Sequence, residues 1–581
     1  MPYCGIAVCL TAILCGWAAQ VGAAGFVCAG SQGIFVQAGH PEAAAKPTRI
    51  AASTTGTRQA LVLFARFKGE PANPVPSWAA DFFNPDLPGS ISHFYDTMSF
   101  GKLRLRGQVA PKVYESAQPA SAYLASGPSE QGRFGQFAQE ILRQADQDLD
   151  LARFDNDGPD GVPNSGDDDG AVDAVFIVME KVPAGFLLGG ATGIKTLGFE
   201  EPLATADVGE NGSPIHVLPG QGTVQRGRNY AEAVGTICHE YGHVLGLPDL
   251  YNTDFLEVSG AGPEEDSAGV GAWCLMGWGA AGWNGNNGPN SLCAWSRVQL
   301  GWAEEVVVKE EHQDIRLEEV GKQGQVVRVP LTGQEHFLVE YRRRTSTYYD
   351  RNLPGEGLLI WRVGTRRLGS ALASQGVVDL ECADGRWRDA GYPLGKMPDA
   401  LTGENNLDFW AHDEDYTRAH GGNLGDATDP FDGVRYTAFT LETNPSSRSV
   451  GGWQGVRVEG IRLSGQTASF KTQVNPLLLD IEGPVVGREE HEGVVMAGEK
   501  FALKVMLTNQ GGVPAQQVRV FLHSDDPLIE ILKPEAQFKD LQPGQQTFGA
   551  DAAGGLQARF REDLSAPTLP NCRWNSMPTA S

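Results

Sequence analysis

Apolar positions along the chain change rhythm twice. Ala60 to Phe67 run almost unbroken, the pattern of a strand, and Lys68-Gly69 closes it. Ser90 is placed to cap a helix starting at Ile91-Ser92-His93-Phe94-Tyr95. Ser99-Phe100-Gly101-Lys102 reads as a turn into a strand over Leu103–Val109. Helical spacing returns over Phe134–Leu149, a second buried strand starts at Ala174-Val175-Phe176-Ile177-Val178, and a helix follows over Tyr230–Leu245. Strands and helices thus alternate through residues 58–302, which predicts one α+β domain.

From Ala303 the helical period disappears. Short alternating runs such as Gln325–Val329 and Phe337–Tyr341, with Gly and Pro turns between them, predict a β-sandwich over 303–475. Phe501–Leu507 and Val518–Leu522 predict a further small, immunoglobulin-like β-domain over 476–548. The tail 549–581 loses the strand pattern and is expected to be unstructured. At the other end, Ile6 to Trp17 is largely apolar and Val21-Gly22-Ala23-Ala24 offers small residues for cleavage. Residues 1–24 therefore read as a signal peptide, although no Lys or Arg precedes Lys46, and 25–57 as a short leader or linker. The expected location is extracellular, with a periplasmic or surface-associated place also open. No later apolar run reaches the about 20 residues of a membrane span.

Composition narrows the function. The chain of 581 residues carries 46 basic and 71 acidic residues, a net charge of −25, which repels phosphate backbones and argues against nucleic acid as a partner. None of the nine cysteines forms a Cys-x-x-Cys pair, so a thiolate zinc site is not expected, and Cys238 reads as a small buried helix residue. No Gly-x-Ser-x-Gly elbow marks a serine hydrolase.

The chemistry concentrates in His239-Glu240-Tyr241-Gly242-His243. On a helix, residues four apart share a face, so both imidazoles can hold one Zn²⁺. Glu240 stands beside the first ligand as the general base for a metal-activated water. Gly246 suits a left-handed helix end and Pro248 prevents the helix from resuming. The turn then brings Asp249 back as a third metal ligand; its bland reading is a cap on the Leu-Pro-Asp bend. Met276, in a Gly- and Trp-rich turn, is placed to form the floor beneath the metal.

A second candidate lies upstream. Asp155, Asp157, Asp160, Asp167, Asp168, Asp169 and Asp173 put seven carboxylates into 19 residues among glycines. Hard Ca²⁺ takes six to eight oxygens, and without a cation such a loop repels itself. Asp155, Asp157, Asp160, Asp167, Asp169 and Asp173 are the expected calcium ligands. The terminal Glu of an EF-hand is missing, and a plain solvated loop is the alternative.

The zinc segment from His239 to Tyr251, Trp273-Cys-Leu-Met276, Ala294-Trp295 and Leu300-Gly301-Trp302 resembles the immune inhibitor A family of secreted bacterial metallopeptidases. Ser99–Lys102, Leu353–Ile360 and Asp429-Pro430-Phe431 with Gly433 extend the resemblance over roughly residues 58–475. It implies a metzincin-like catalytic domain followed by β-sandwich modules, zinc-dependent cleavage of protein or peptide substrates, and bound calcium. The rival class is a non-catalytic, calcium-dependent adhesion or matrix protein. The intact set of His239, Glu240 and His243 argues against it. Oligomeric state and natural substrate are not legible.

Overall fold

The computed structural model describes residues 5–9, 53–127, 130–188, 191–251, 269–285, 287–332, 335–364, 378–384, 424–449, 454–474, 479–487, 500–509, 514–524, 529–542, 544–548, 556–560 and 578–579. Five strands form the first sheet: β1 (Gly56–Arg66), β2 (Leu103–Glu115), β3 (Ala174–Met179), β4 (Gly193–Ile194) and β5 (Gly222–Arg226). Their order is β2-β1-β3-β5-β4. The first four run parallel, and the short edge strand β4 is antiparallel to β5.

The unbroken apolar runs are explained by layers on both faces. Ala60, Val62, Phe64, Phe176 and Val178 face helices α1 (Ile91–Met98) and α3 (Tyr230–Val244) in one core. Leu61, Leu63, Val175 and Ile177 face α2 (Phe134–Ala145) in another. Successive side chains of a strand point to opposite faces, so a two-sided strand must be apolar throughout. Ser90 does cap α1, accepting the His93 amide at 3.0 Å. Helix α2 ends at Ala145, short of Leu149, which lies beyond it in a turn.

Beyond residue 303 the architecture is two-layered. One sheet takes Glu304–Val307, Gln325–Pro330, Glu335–Arg342, Gly357–Gly364 and Val378–Leu380. The other takes His312–Glu318, Ala438–Phe439, Arg457–Ser464 and Thr467–Gln473. Phe337, Ile360, Phe439, Val458 and Phe470 fill the space between them. The opposite face of the first sheet belongs to the upstream core: Val326, Leu338, Leu359, Trp361 and Leu380 pack with α1, α3 and α4 (Ala294–Gln299). The two regions therefore share apolar core rather than meeting at a polar linker.

A third unit follows, with Phe501, Leu503, Val505 and Leu507 at its centre. The expectation of an unstructured tail from Gly549 needs correction. Leu556–Phe560 is a strand paired with Lys500–Leu503 and with Ile529–Lys533, and Leu556 and Ala558 are buried in that core. Its alternation, Leu-Gln-Ala-Arg-Phe, is a half-buried strand pattern that two preceding glycines obscure. Within the expected signal segment, Gly5–Cys9 is a strand paired with Arg519–His523. The rest of 1–24, and 25–52 of the expected leader, lie outside the described residues.

Candidate active site

Helix α3 carries the centre. Asn229 caps it by accepting the Glu232 amide at 3.0 Å, and Leu245 ends it. Gly246 follows at φ 103, the left-handed region that favours glycine, so the chain turns sharply. That turn returns Asp249 to the helix face. His239, His243 and Asp249 are all buried, and each offers an atom within 4.8 Å of the others. Asp249 Oδ1 lies 3.1 Å from His239 Nε2 and 3.3 Å from His243 Nε2.

The far side of each imidazole is fixed by backbone. His239 Nδ1 lies 2.9 Å from the Leu275 carbonyl and His243 Nδ1 2.7 Å from the Leu247 carbonyl. A carbonyl only accepts, so each Nδ1 carries a proton, and each Nε2, facing Asp249, is the atom left to take either a second proton or a metal ion. Two lone pairs and a carboxylate converging in a buried space repel one another unless positive charge lies between them. Asp249 Oδ2 is also buried without a hydrogen-bond partner. This donor set fits a divalent cation of the zinc type: nitrogen and carboxylate oxygen, three from protein. Proton affinities report the same field. Burial lowers the His239 pKa, but the hydrogen bond and charge of Asp249 outweigh it and raise it to about 9. Burial would raise the Asp249 pKa, yet the His243 charge and the hydrogen bonds from both imidazoles hold it well below the usual range.

Glu240 is 3% exposed beside this set. Burial raises its pKa, against the opposing charges of His243 and His239. The edge strand β4 lies directly on it: a Cβ on Gly193 would overlap Glu240 Oε1. Only glycine lets backbone approach the carboxylate this closely, and sequence reading missed that role because a lone Gly before Ile-Lys carries no motif.

The floor is built from the 271–278 turn. Met276 is fully buried, and a Cβ on Gly242 would come to 2.7 Å from its Sδ. The Met276 carbonyl accepts the Leu250 amide at 2.8 Å, which ties the floor to the segment carrying Asp249. From below, Arg342 donates to the Trp273 carbonyl and to the Leu292 carbonyl, both at 2.7 Å. Arg342 also pairs with Glu340 at 3.0 Å. Nothing in the spacing around Arg342 signals a part in the site, because its partners lie 50 and 69 residues away.

The acidic loop is only partly convergent. Asp155, Asp157 and Asp173 come within 4.8 Å through one oxygen each. Asp160, Asp167 and Asp169 do not join them. Asp160 accepts the Val162 amide at 2.7 Å, Asp167 accepts the Asp160 amide at 3.1 Å, and Asp169 accepts the Ala171 amide at 2.9 Å, so they shape the loop. Asn156, not singled out from sequence, is fully buried with neither amide atom hydrogen-bonded, and Asp155 Oδ1 is likewise without a partner. Its place between two aspartates was the available signal. Burial and the neighbouring Asp168, Asp169 and Asp157 charges raise the Asp155 pKa to about 7. Burial raises that of Asp173 to about 8 despite the Gln59 amide and Arg58.

Residues 81–307 match the model of the immune inhibitor A peptidase M6 catalytic domain. The chain is 27% identical over 238 residues to the pre-pro-metalloprotease PrtV of two strains of Vibrio cholerae serotype O1. The aligned stretch spans 36% of this chain and 23% of those relatives. The matched segment contains α3, Asp249 and Met276, and it ends with the first strand of the β-rich region, at Val307. Over residues 81–307, the chain is thus similar to the catalytic domain of the immune inhibitor A peptidase M6 family.

Proposed function

We propose that this protein is a zinc-dependent endopeptidase that hydrolyses peptide bonds of protein substrates, with His239, His243 and Asp249 holding the ion. The convergence of two oriented Nε2 atoms on one buried carboxylate oxygen is the observation that carries this reading. Zinc bound there supplies Lewis acidity toward the scissile carbonyl and lowers the pKa of a water. Glu240 accepts the proton of the attacking water on its carboxylate and delivers it to the leaving amine nitrogen. The burial that raises its pKa favours holding that proton between the two steps. The carbonyls of Leu275 and Leu247 keep both rings in the ligating tautomer, and the close backbone of Gly193 limits where the Glu240 carboxylate can move.

The same reading takes the catalytic domain as metzincin-like, supported by Asp249 at the third-ligand spacing and by Met276 against Gly242. It takes the chain as exported, supported by the apolar 1–24 segment. No helix among the described residues is long and apolar enough to cross a membrane. Calcium is proposed at Asp155, Asp157 and Asp173, with the Asn156 amide oxygen as a further donor, because buried oxygens without partners suit a hard cation. The test of the central reading is cleavage of a protein substrate with and without a zinc chelator. Undiminished cleavage after chelation would overturn the zinc dependence, and absence of cleavage with zinc present would favour a non-catalytic adhesive role.

A further inference from the structure

Among the described residues, Cys238, Cys274 and Cys293 are buried thiols. Two of them lie side by side beneath the metal site. Cys274 precedes Leu275, whose carbonyl orients His239, and is two residues from Met276. Cys293 is the residue before α4. Cys274 Sγ accepts the Cys293 amide at 3.3 Å. Both sulfurs contact the Ser296 hydroxyl, Cys274 at 3.6 Å and Cys293 at 3.4 Å. The Leu275 amide donates to the Ser291 carbonyl at 3.0 Å, so the two backbones run alongside each other at this point. The Cys274 sulfur therefore lies against the backbone of Cys293, and both sulfurs share one neighbour in the Ser296 hydroxyl. Disulfides form between such neighbours, where the Cβ atoms can come to roughly 3.5–4.5 Å.

We infer that Cys274 and Cys293 form a disulfide that clamps the floor of the metal site to α4. The step is an exchange with a small or protein disulfide: two thiols give up two protons and two electrons, the S–S bond forms, and the donor disulfide leaves as two thiols. Neither thiol is exposed in the folded chain, so the exchange occurs as the chain folds. The link closes a short loop around Leu275 and Met276, and that loop holds the carbonyl on which the His239 tautomer depends.

For its consequence the inference rests on the proposed metal site; for the cross-link itself it does not. The full chain is folded in oxidised and reduced glutathione, denatured without reductant, treated with a maleimide and digested. The expected result is one linked peptide pair joining Cys274 to Cys293, released by reductant and lost in Cys274→Ser and in Cys293→Ser. Two separately alkylated peptides, or either cysteine joined elsewhere, would overturn the cross-link whether or not the chain is a peptidase. Zinc release to a chelator is then timed in the linked and reduced forms. Release should be several-fold faster in the reduced form and in Cys293→Ser. Equal release rates would overturn the clamp.

Discussion

The two clusters of candidate metal ligands differ in how they are built, and the difference bears on what each can do. His239 and His243 stand on a capped helix, and Asp249 follows a glycine-forced turn. The outer nitrogens of both rings are tied to carbonyls, so little is left to rearrange. The acidic cluster sits on a loop between Phe154 and β3. Three of its carboxylates converge, while Asp160, Asp167 and Asp169 spend their oxygens on backbone amides. The first arrangement suits repeated chemistry at a fixed geometry. The second suits an ion that orders the chain around it.

Loss of the carboxylate at Glu240, beside the rigid cluster, should have the greatest consequence. Glu240→Gln should keep zinc and lose about 10²–10⁴-fold in turnover. Turnover like the parent's, in a variant with full zinc content by elemental analysis, would remove the general base from the account. Next comes Asp249→Ala. Its loss of zinc affinity should exceed the roughly 10–100-fold typical of a residue that only orients a ligand. Retention of zinc through dialysis against a weak chelator would mean another residue completes the set.

How much of this was legible in sequence follows from the same contrast. A helix repeats its geometry, so the four-residue spacing of His239 and His243 fixed their shared face, and Gly246 and Pro248 announced the turn. A loop has no such period. Seven aspartates made a cation plausible, but which oxygens meet depends on local turns that no spacing encodes, and Asn156 was passed over for carrying no charge. Gly193 and Arg342 were illegible for another reason. Each acts on the site across a sheet edge or a shared core, through contacts far apart in sequence. The β-rich region read as a separate module because its strands alternate; that the outer face of Glu335–Arg342 serves the upstream core needed the fold to see.

Two smaller effects sharpen the comparison further. Arg342→Met would leave Glu340 and Asp350 buried without their cation partner, which typically costs about 3–5 kcal/mol. Urea unfolding should show that loss, with the floor turn among the segments that exchange hydrogen faster. A variant as stable as the parent would separate the β-rich region from support of the site. In the acidic loop, Asp157→Asn and Asn156→Ala should abolish stabilisation by calcium, while Asp160→Asn should not. That stabilisation is about 2.7 kcal/mol at a hundredfold excess of ion over its Kd. Thermal melts with and without calcium measure it, and equal calcium responses in all three variants would place the ion elsewhere.

The central claim is that one zinc ion, held by His239, His243 and Asp249, switches on peptide hydrolysis. Its most direct test is to strip the chain of metal and titrate zinc back while following cleavage of a protein substrate. Cleavage should be negligible at the start and return linearly, saturating at one zinc per chain. Cleavage that survives stripping, or that stays absent at saturating zinc in correctly folded chain, would contradict it.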